Sequence, residues 1–225
     1  NIEVIKMLID NSADLNVKDS YGYTPLMIEL LYDYNGNPEI AKILIENGSE
    51  INTVSNKGLT TLMAGVISGN KEIVKLMLEH GAKVNLAKKG KETPLMVAAA
   101  EGYPEIAEIL INNGAEVNTF NGHDLNPLMM AVSYDNISIT KLLIENGAKV
   151  NLANSEGKTP LMIAATEGYP EIAEVLLENK AEVNITDEEG KTPLMAATSE
   201  RNAKMVWKLI ENGAEVDAKD NQGNT

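Results

Sequence analysis

"EGYPEIAEILINNGAEVN", residues 101–118, is nearly repeated as "EGYPEIAEVLLENKAEVN", residues 167–184. Fourteen of the eighteen positions are identical, and the copies lie 66 residues apart. Outward from this pair, a shorter phrase opens each copy of a larger unit. It reads "TPLM" at 24–27, "TTLM" at 60–63, "TPLM" at 93–96, "NPLM" at 126–129, and "TPLM" at 159–162 and 192–195. The spacings are 36, 33, 33, 33 and 33. Gly48, Gly81, Gly114, Gly147 and Gly213 mark a second beat, with Ser12 and Lys180 in that place in the other two units. A fixed period of this length is the signature of a repeat array.

Each unit has a physical reading. Thr, or Asn126, caps a helix through its side-chain oxygen, and Pro fits the first turn because its missing N–H has no partner there. A short helix of small residues follows, as in "LMVAAA" (95–100), then the break "EGYP". In "EIAEILINN", Ile106, Ala107, Ile109 and Leu110 fall on one side and Glu105, Glu108 and Asn112 on the other, an amphipathic stripe. Gly114 then ends the second helix in a left-handed turn. One such pair cannot bury its apolar face alone, whereas stacked copies can.

The pattern D-x-x-G-x-T-P-L, helix, G-x-x-E-I, helix, N-G-A-x-V-N at period 33 resembles the ankyrin repeat over essentially the whole chain. The resemblance implies an all-α repeat fold: L-shaped units of two antiparallel helices and a hairpin-like finger, stacked into a curved solenoid. The expected organisation is a single domain over 1–225. It holds a partial repeat at 1–23 and full units opening at 24, 60, 93, 126, 159 and 192, and it is interrupted at 225. Both ends stop within a repeat, which points to a longer parent.

Composition bounds the function. Apolar residues make up 44% of the 225, but aromatics only 4%, so the core is aliphatic. No apolar run approaches the roughly 18–20 residues of a membrane span. Lys and Arg number 19 against 33 Asp and Glu, a net charge of −14. Such a chain repels phosphate backbones, so nucleic acid is not an expected partner; the charge reads first as a solvated acidic face, with attraction to a basic patch on a protein partner as the alternative. Cysteine is absent, and no secretory signal opens the sequence; a cytoplasmic location is the expectation. With His80 and His123 the only histidines, neither a metal site nor a cofactor is expected. "GKT" at 157–159 and 190–192 lacks the earlier glycine of a phosphate loop, since Leu152 and Ile185 stand there. No nucleophile motif occurs, and no enzyme activity is expected.

Four departures stand out. The place after T-P-L, usually His in ankyrin repeats, is Met in all six units, read as a flexible apolar filler. The first full unit carries a three-residue insertion in "ELLYDYNGNPEI" (29–40), Glu29 in place of a small residue, and four of the seven tyrosines. The fingers at 85–93 and 118–126 lose the glycine two residues before the opening and should bend differently; in the second, Asp124 holds its place and Phe120 is the only Phe. Trp207 stands where other units mostly have Lys or Glu, and is expected to lie over the array or its continuation, with Lys208 reaching back to solvent.

Ankyrin resemblance implies recognition of a protein partner by the fingers and the inner face of the first helices. Carried over position by position, it singles out Tyr21, Tyr23, Leu31, Tyr32, Lys57, Leu59, Ile67, Phe120, His123, Leu125 and Tyr134. Toward the C-terminus the same positions hold Glu156, Lys158, Glu167, Glu188, Glu189 and Glu200. An aromatic N-terminal half and an acidic C-terminal half are expected. The competing expectation is a structural spacer within a larger protein. As a free molecule the array is expected to be a monomer or to self-stack weakly end to end.

Overall fold

The computed structural model describes residues 1–31, 37–87 and 92–225. Among these residues there are thirteen α-helices and no strand, only an isolated antiparallel bridge between Val54 and Thr60. The helices fall into two compact units. The first spans residues 1–116 and 121–123, the second 117–120 and 124–225.

The first unit holds α1 (Ile2–Asp10), α2 (Pro25–Leu31), α3 (Pro38–Glu46), α4 (Thr61–Ile67), α5 (Lys71–Glu79), α6 (Pro94–Glu101) and α7 (Pro104–Asn112). Helices α2, α4 and α6 form one layer, and α1, α3, α5 and α7 the other. The second unit holds α8 (Pro127–Ser133), α9 (Ile137–Glu145), α10 (Pro160–Glu167), α11 (Pro170–Glu178), α12 (Pro193–Ser199) and α13 (Ala203–Glu211). Here α8, α10 and α12 stack in one layer and α9, α11 and α13 in the other. Within each unit every helix but α1 thus packs on its own partner and on the equivalent helix of a neighbouring repeat, and α1 packs on α3, the nearest-neighbour arrangement of a repeat protein.

The opening phrases behave as caps. The Thr60, Thr93, Thr159 and Thr192 hydroxyls accept the N–H of the residue three positions on, and the Asn126 side chain does the same. That residue is the Met of each phrase, and in three phrases, at Met63, Met96 and Met195, its sulfur answers the cap. Met63 Sδ accepts the Thr60 N–H at 3.4 Å and Met96 Sδ the Thr93 N–H at 3.4 Å. Methionine here therefore does two jobs. It fills the core, Met27, Met96 and Met129 being fully buried, and it supplies the reciprocal acceptor that Glu or Gln provides in an ordinary capping box.

The helix break closes in the same way in four units, while in the unit opening at Thr60 the Asn70 N–H bonds Ser68 Oγ at 3.4 Å. The N–H of the second helix's cap residue bonds the carbonyl five places after the opening. The pairs are Tyr103 to Ala98, Asn136 to Ala131, Tyr169 to Ala164 and Asn202 to Ala197, at 2.8–3.1 Å. In the unit with the insertion, Glu29 holds that place, and its side-chain Oε1 accepts the Asn37 N–H at 2.6 Å. A longer acceptor compensates for a longer connection, which explains the Glu where other units have Ala or Gly. At the second beat Lys180 takes φ +67°, as does Ser12 at +61°, a left-handed turn that costs a side-chain-bearing residue about 1–2 kcal/mol relative to glycine.

Candidate functional site

The fingers are built from their own side chains. In the first unit, Asp19 Oδ1 accepts the N–H groups of Tyr21 and Tyr23, both at 2.9 Å, and so fixes the turn between them. The two rings come together with centroids 6.3 Å apart and planes inclined by 35°. From the next finger, Asn56 donates its backbone N–H to the Tyr21 carbonyl and its side-chain amide to that of Ser20. This tip is held on both sides while Tyr21 remains 58% exposed and Tyr23 half-buried. Leu31, Leu59 and Ile67 are half-buried and Lys57 is exposed. Tyr32 lies outside the described residues. Ile28, on the exposed side of α2, joins the apolar surface of this unit at 44% exposure.

In the second unit Phe120 and Leu125 are half-buried, and Tyr134, the residue that ends α8, is 58% exposed. His123 belongs to the first unit; it is exposed, its N–H bonded to Asn121 Oδ1 at 2.9 Å. The altered finger keeps the left-handed turn: Asp124 adopts φ +60° where the glycines at this place in other fingers stand at +78° to +93°, and its carboxylate accepts the Ser155 N–H. In the following fingers the equivalent N–H groups, of Glu188 and Asn221, bond the backbone carbonyls of Glu156 and Glu189. A side chain takes the place of a peptide carbonyl where the glycine is missing. The other altered finger falls partly outside the described residues.

Family comparison agrees with this construction. The family model described as ankyrin repeats (3 copies) matches twice, over residues 30–121 and 128–220. The chain belongs to the ankyrin-repeat family. No curated protein matches it. Ankyrin repeats are protein-interaction modules, a non-enzymatic fold that binds protein partners. Among the described residues of this ankyrin array no cluster of His, Cys, Asp or Glu could hold a metal ion, and no helix is long and apolar enough to cross a membrane.

What the sequence reading missed is an asparagine ladder that holds the ankyrin fingers in place. In the first unit Asn52 donates its side-chain N–H to the Gly81 carbonyl (3.0 Å) and accepts the Lys83 N–H (2.8 Å). Asn85 does the same with Gly114 and Glu116. In the second unit Asn118 grips Gly147 and Lys149, Asn151 grips Lys180 and Glu182, and Asn184 grips Gly213 and Glu215. The signal was present as Asn at 16, 52, 85, 118, 151 and 184, the last letter of "AEVN" and its variants. The amide is needed because its short head carries a donor and an acceptor together. Asn151→Asp keeps the shape but loses the donor and sets a charge against the Lys180 carbonyl. We expect a loss of about 1–2 kcal/mol, read as a lower urea midpoint at unchanged slope.

Charge is distributed unevenly. Within the fingers Glu156 pairs with Lys158 at 2.7 Å and Glu189 with Lys191 at 2.6 Å. Between neighbouring second helices Glu105 pairs with Lys71 at 3.0 Å, Glu174 with Lys208 at 2.9 Å, and Glu171 with Lys204. The hydrogen bond from Lys191 holds the Glu189 carboxyl below its ordinary range, and that from Lys204 does the same for Glu171. Glu167, Glu188 and Glu200 have no basic group within ion-pairing reach among the described residues. Trp207 does not lie over the described repeats: it is 66% exposed on α13, while Lys208 pairs with Glu174 in the preceding ankyrin repeat.

Proposed function

We propose that this ankyrin array binds protein partners through its finger tips and the C-terminal ends of its first helices. The first unit presents Tyr21, Tyr23, Ile28 and Leu31, and the second presents Phe120, Leu125 and Tyr134. The reading rests on one observation: the large tyrosine rings at these places stay in water although their backbones are fixed. Tyr21 sits on a finger tip braced by Asp19 and Asn56, and Tyr134 at the end of a packed helix. Their exposure therefore does not come from a loose chain. A rigid, exposed tyrosine offers a large contact area with little entropy left to lose, the usual character of an interface hot spot.

The test is a capture experiment from lysate with the wild-type chain beside Tyr21→Ala and Phe120→Ala/Tyr134→Ala. None of the three side chains is fully buried, so circular dichroism and thermal midpoints are expected to match the wild type. Proteins retained by the wild type are expected to be depleted at least about fivefold on one variant or the other, given about 1–3 kcal/mol for each anchor removed. Retention of the same proteins by all three chains would refute the assignment.

A further inference from the structure

The first helices of the second unit end in a graded row. Eight residues after each opening stand Tyr134, Glu167 and Glu200, on α8, α10 and α12, which stack directly on one another. Tyr134 is the residue that ends α8, Glu167 the last residue of α10, and Glu200 the residue that ends α12. All three are exposed. The two carboxylates lie where the helix dipole is negative, so their own helices disfavour them. The other acidic groups of fingers and second helices in this unit that have a lysine within reach use it, namely Glu156, Glu189, Glu171 and Glu174. Glu167 and Glu200 are exposed, and no basic group lies within ion-pairing reach of either among the described residues. An apolar ring followed by two unneutralised carboxylates is complementary to a segment that is apolar at one end and cationic at the other.

Spacing narrows the partner further. Packed helices lie about 8–10 Å apart, so the row repeats at that interval. A polyproline-type segment turns once every three residues and rises about 3.1 Å per residue, close to 9 Å per turn. Every third side chain would meet the next repeat without distortion. Resting on the proposed interaction face, we infer that the second unit takes an extended, polyproline-like protein segment. That segment carries an apolar residue over Tyr134 and Arg or Lys at the third and sixth positions from it, against Glu167 and Glu200.

Fluorescein-labelled peptides test this against the full 225-residue chain by fluorescence anisotropy. One has the core Leu-Pro-Pro-Arg-Pro-Pro-Arg, a second has Glu for both Arg, and a third has the two Arg moved next to Leu. We expect the first to bind, the second to show no binding, and the third to bind at least about fivefold more weakly. Glu167→Gln/Glu200→Gln is expected to weaken the first peptide about tenfold, two exposed charge contacts being lost, without lowering the urea midpoint. Equal binding of the first and third peptides, or indifference to the double substitution, overturns the inference. Tyr134→Ala separates it from the reading beneath. Binding that depends on Tyr134 but not on the carboxylates sinks only the inference; binding that depends on neither sinks both. No binding by any peptide also sinks the inference and leaves the face to the capture experiment.

Discussion

Gly157→Ala is expected to lower stability by about 2–5 kcal/mol, more than the same substitution at Gly147. Both glycines belong to the second unit, and both have positive φ, +78° and +87°. A methyl group at either pays for the left-handed conformation, about 1–2 kcal/mol. Only at Gly157 does it also meet matter. The added Cβ would lie 2.8 Å from Asp187 Cα and 2.9 Å from the Glu188 nitrogen, whereas at Gly147 nothing lies within 4 Å. The obstacle is the backbone of the next finger, which cannot rotate aside, so overpacking adds about 1–3 kcal/mol. Closure would also be lost, since the Glu188 N–H donates to the Glu156 carbonyl at this contact. Urea titration followed by circular dichroism measures both variants. Equal losses at the two sites would show that conformational strain alone accounts for glycine there and that the fingers do not abut.

Met96→Ala is expected to cost about 3–5 kcal/mol, and Met96→Leu no more than about 1.5. Met96 is fully buried, so truncation leaves a cavity among close-packed neighbours. It also removes the sulfur that accepts the Thr93 N–H at 3.4 Å, leaving a buried donor on a residue that is itself buried. Leucine restores most of the volume but not the acceptor. The difference between the two variants measures packing, and the residual cost of leucine measures the N–H···S contact. A leucine variant more stable than the wild type would show that the sulfur contributes nothing beyond its volume.

The fold was legible because a period of 33 with caps and stops at fixed offsets has few physical solutions. Thr93, Pro94 and Gly102, or Asn126 and Pro127, announce helix ends through local chemistry that needs no tertiary knowledge. The candidate surface was legible only as positions. That Tyr21 is exposed while Tyr23 is half-buried depends on Asp19 and Asn56, 36 residues from the Ser20 carbonyl it holds. For Trp207 the pattern named two covers, the array or its continuation; its 66% exposure answers for the array alone, and Lys208 beside it pairs with Glu174. Glu29 was flagged as odd but its purpose was hidden, since only coordinates bring its Oε1 to the Asn37 N–H. The asparagine ladder escaped for another reason. Asn at a loop end has a ready local explanation, and its reach of 29 to 31 residues is invisible to any argument about neighbours in sequence.

That ladder has a directional consequence. The gripping residue always belongs to the earlier copy, and what it grips in the later one is chiefly main chain: the carbonyls of Gly147, Lys180 and Gly213, the amides of Lys149, Glu182 and Glu215, with one added contact from Asn151 to the Glu182 carboxylate at 3.4 Å. The receiving copy can vary its side chains at those places and still be held, provided the carbonyl position accepts a left-handed turn and the amide position is not Pro. Divergence is therefore cheap on the receiving side and restricted on the giving side, which lets such a chain lengthen, shorten or exchange modules while keeping one join.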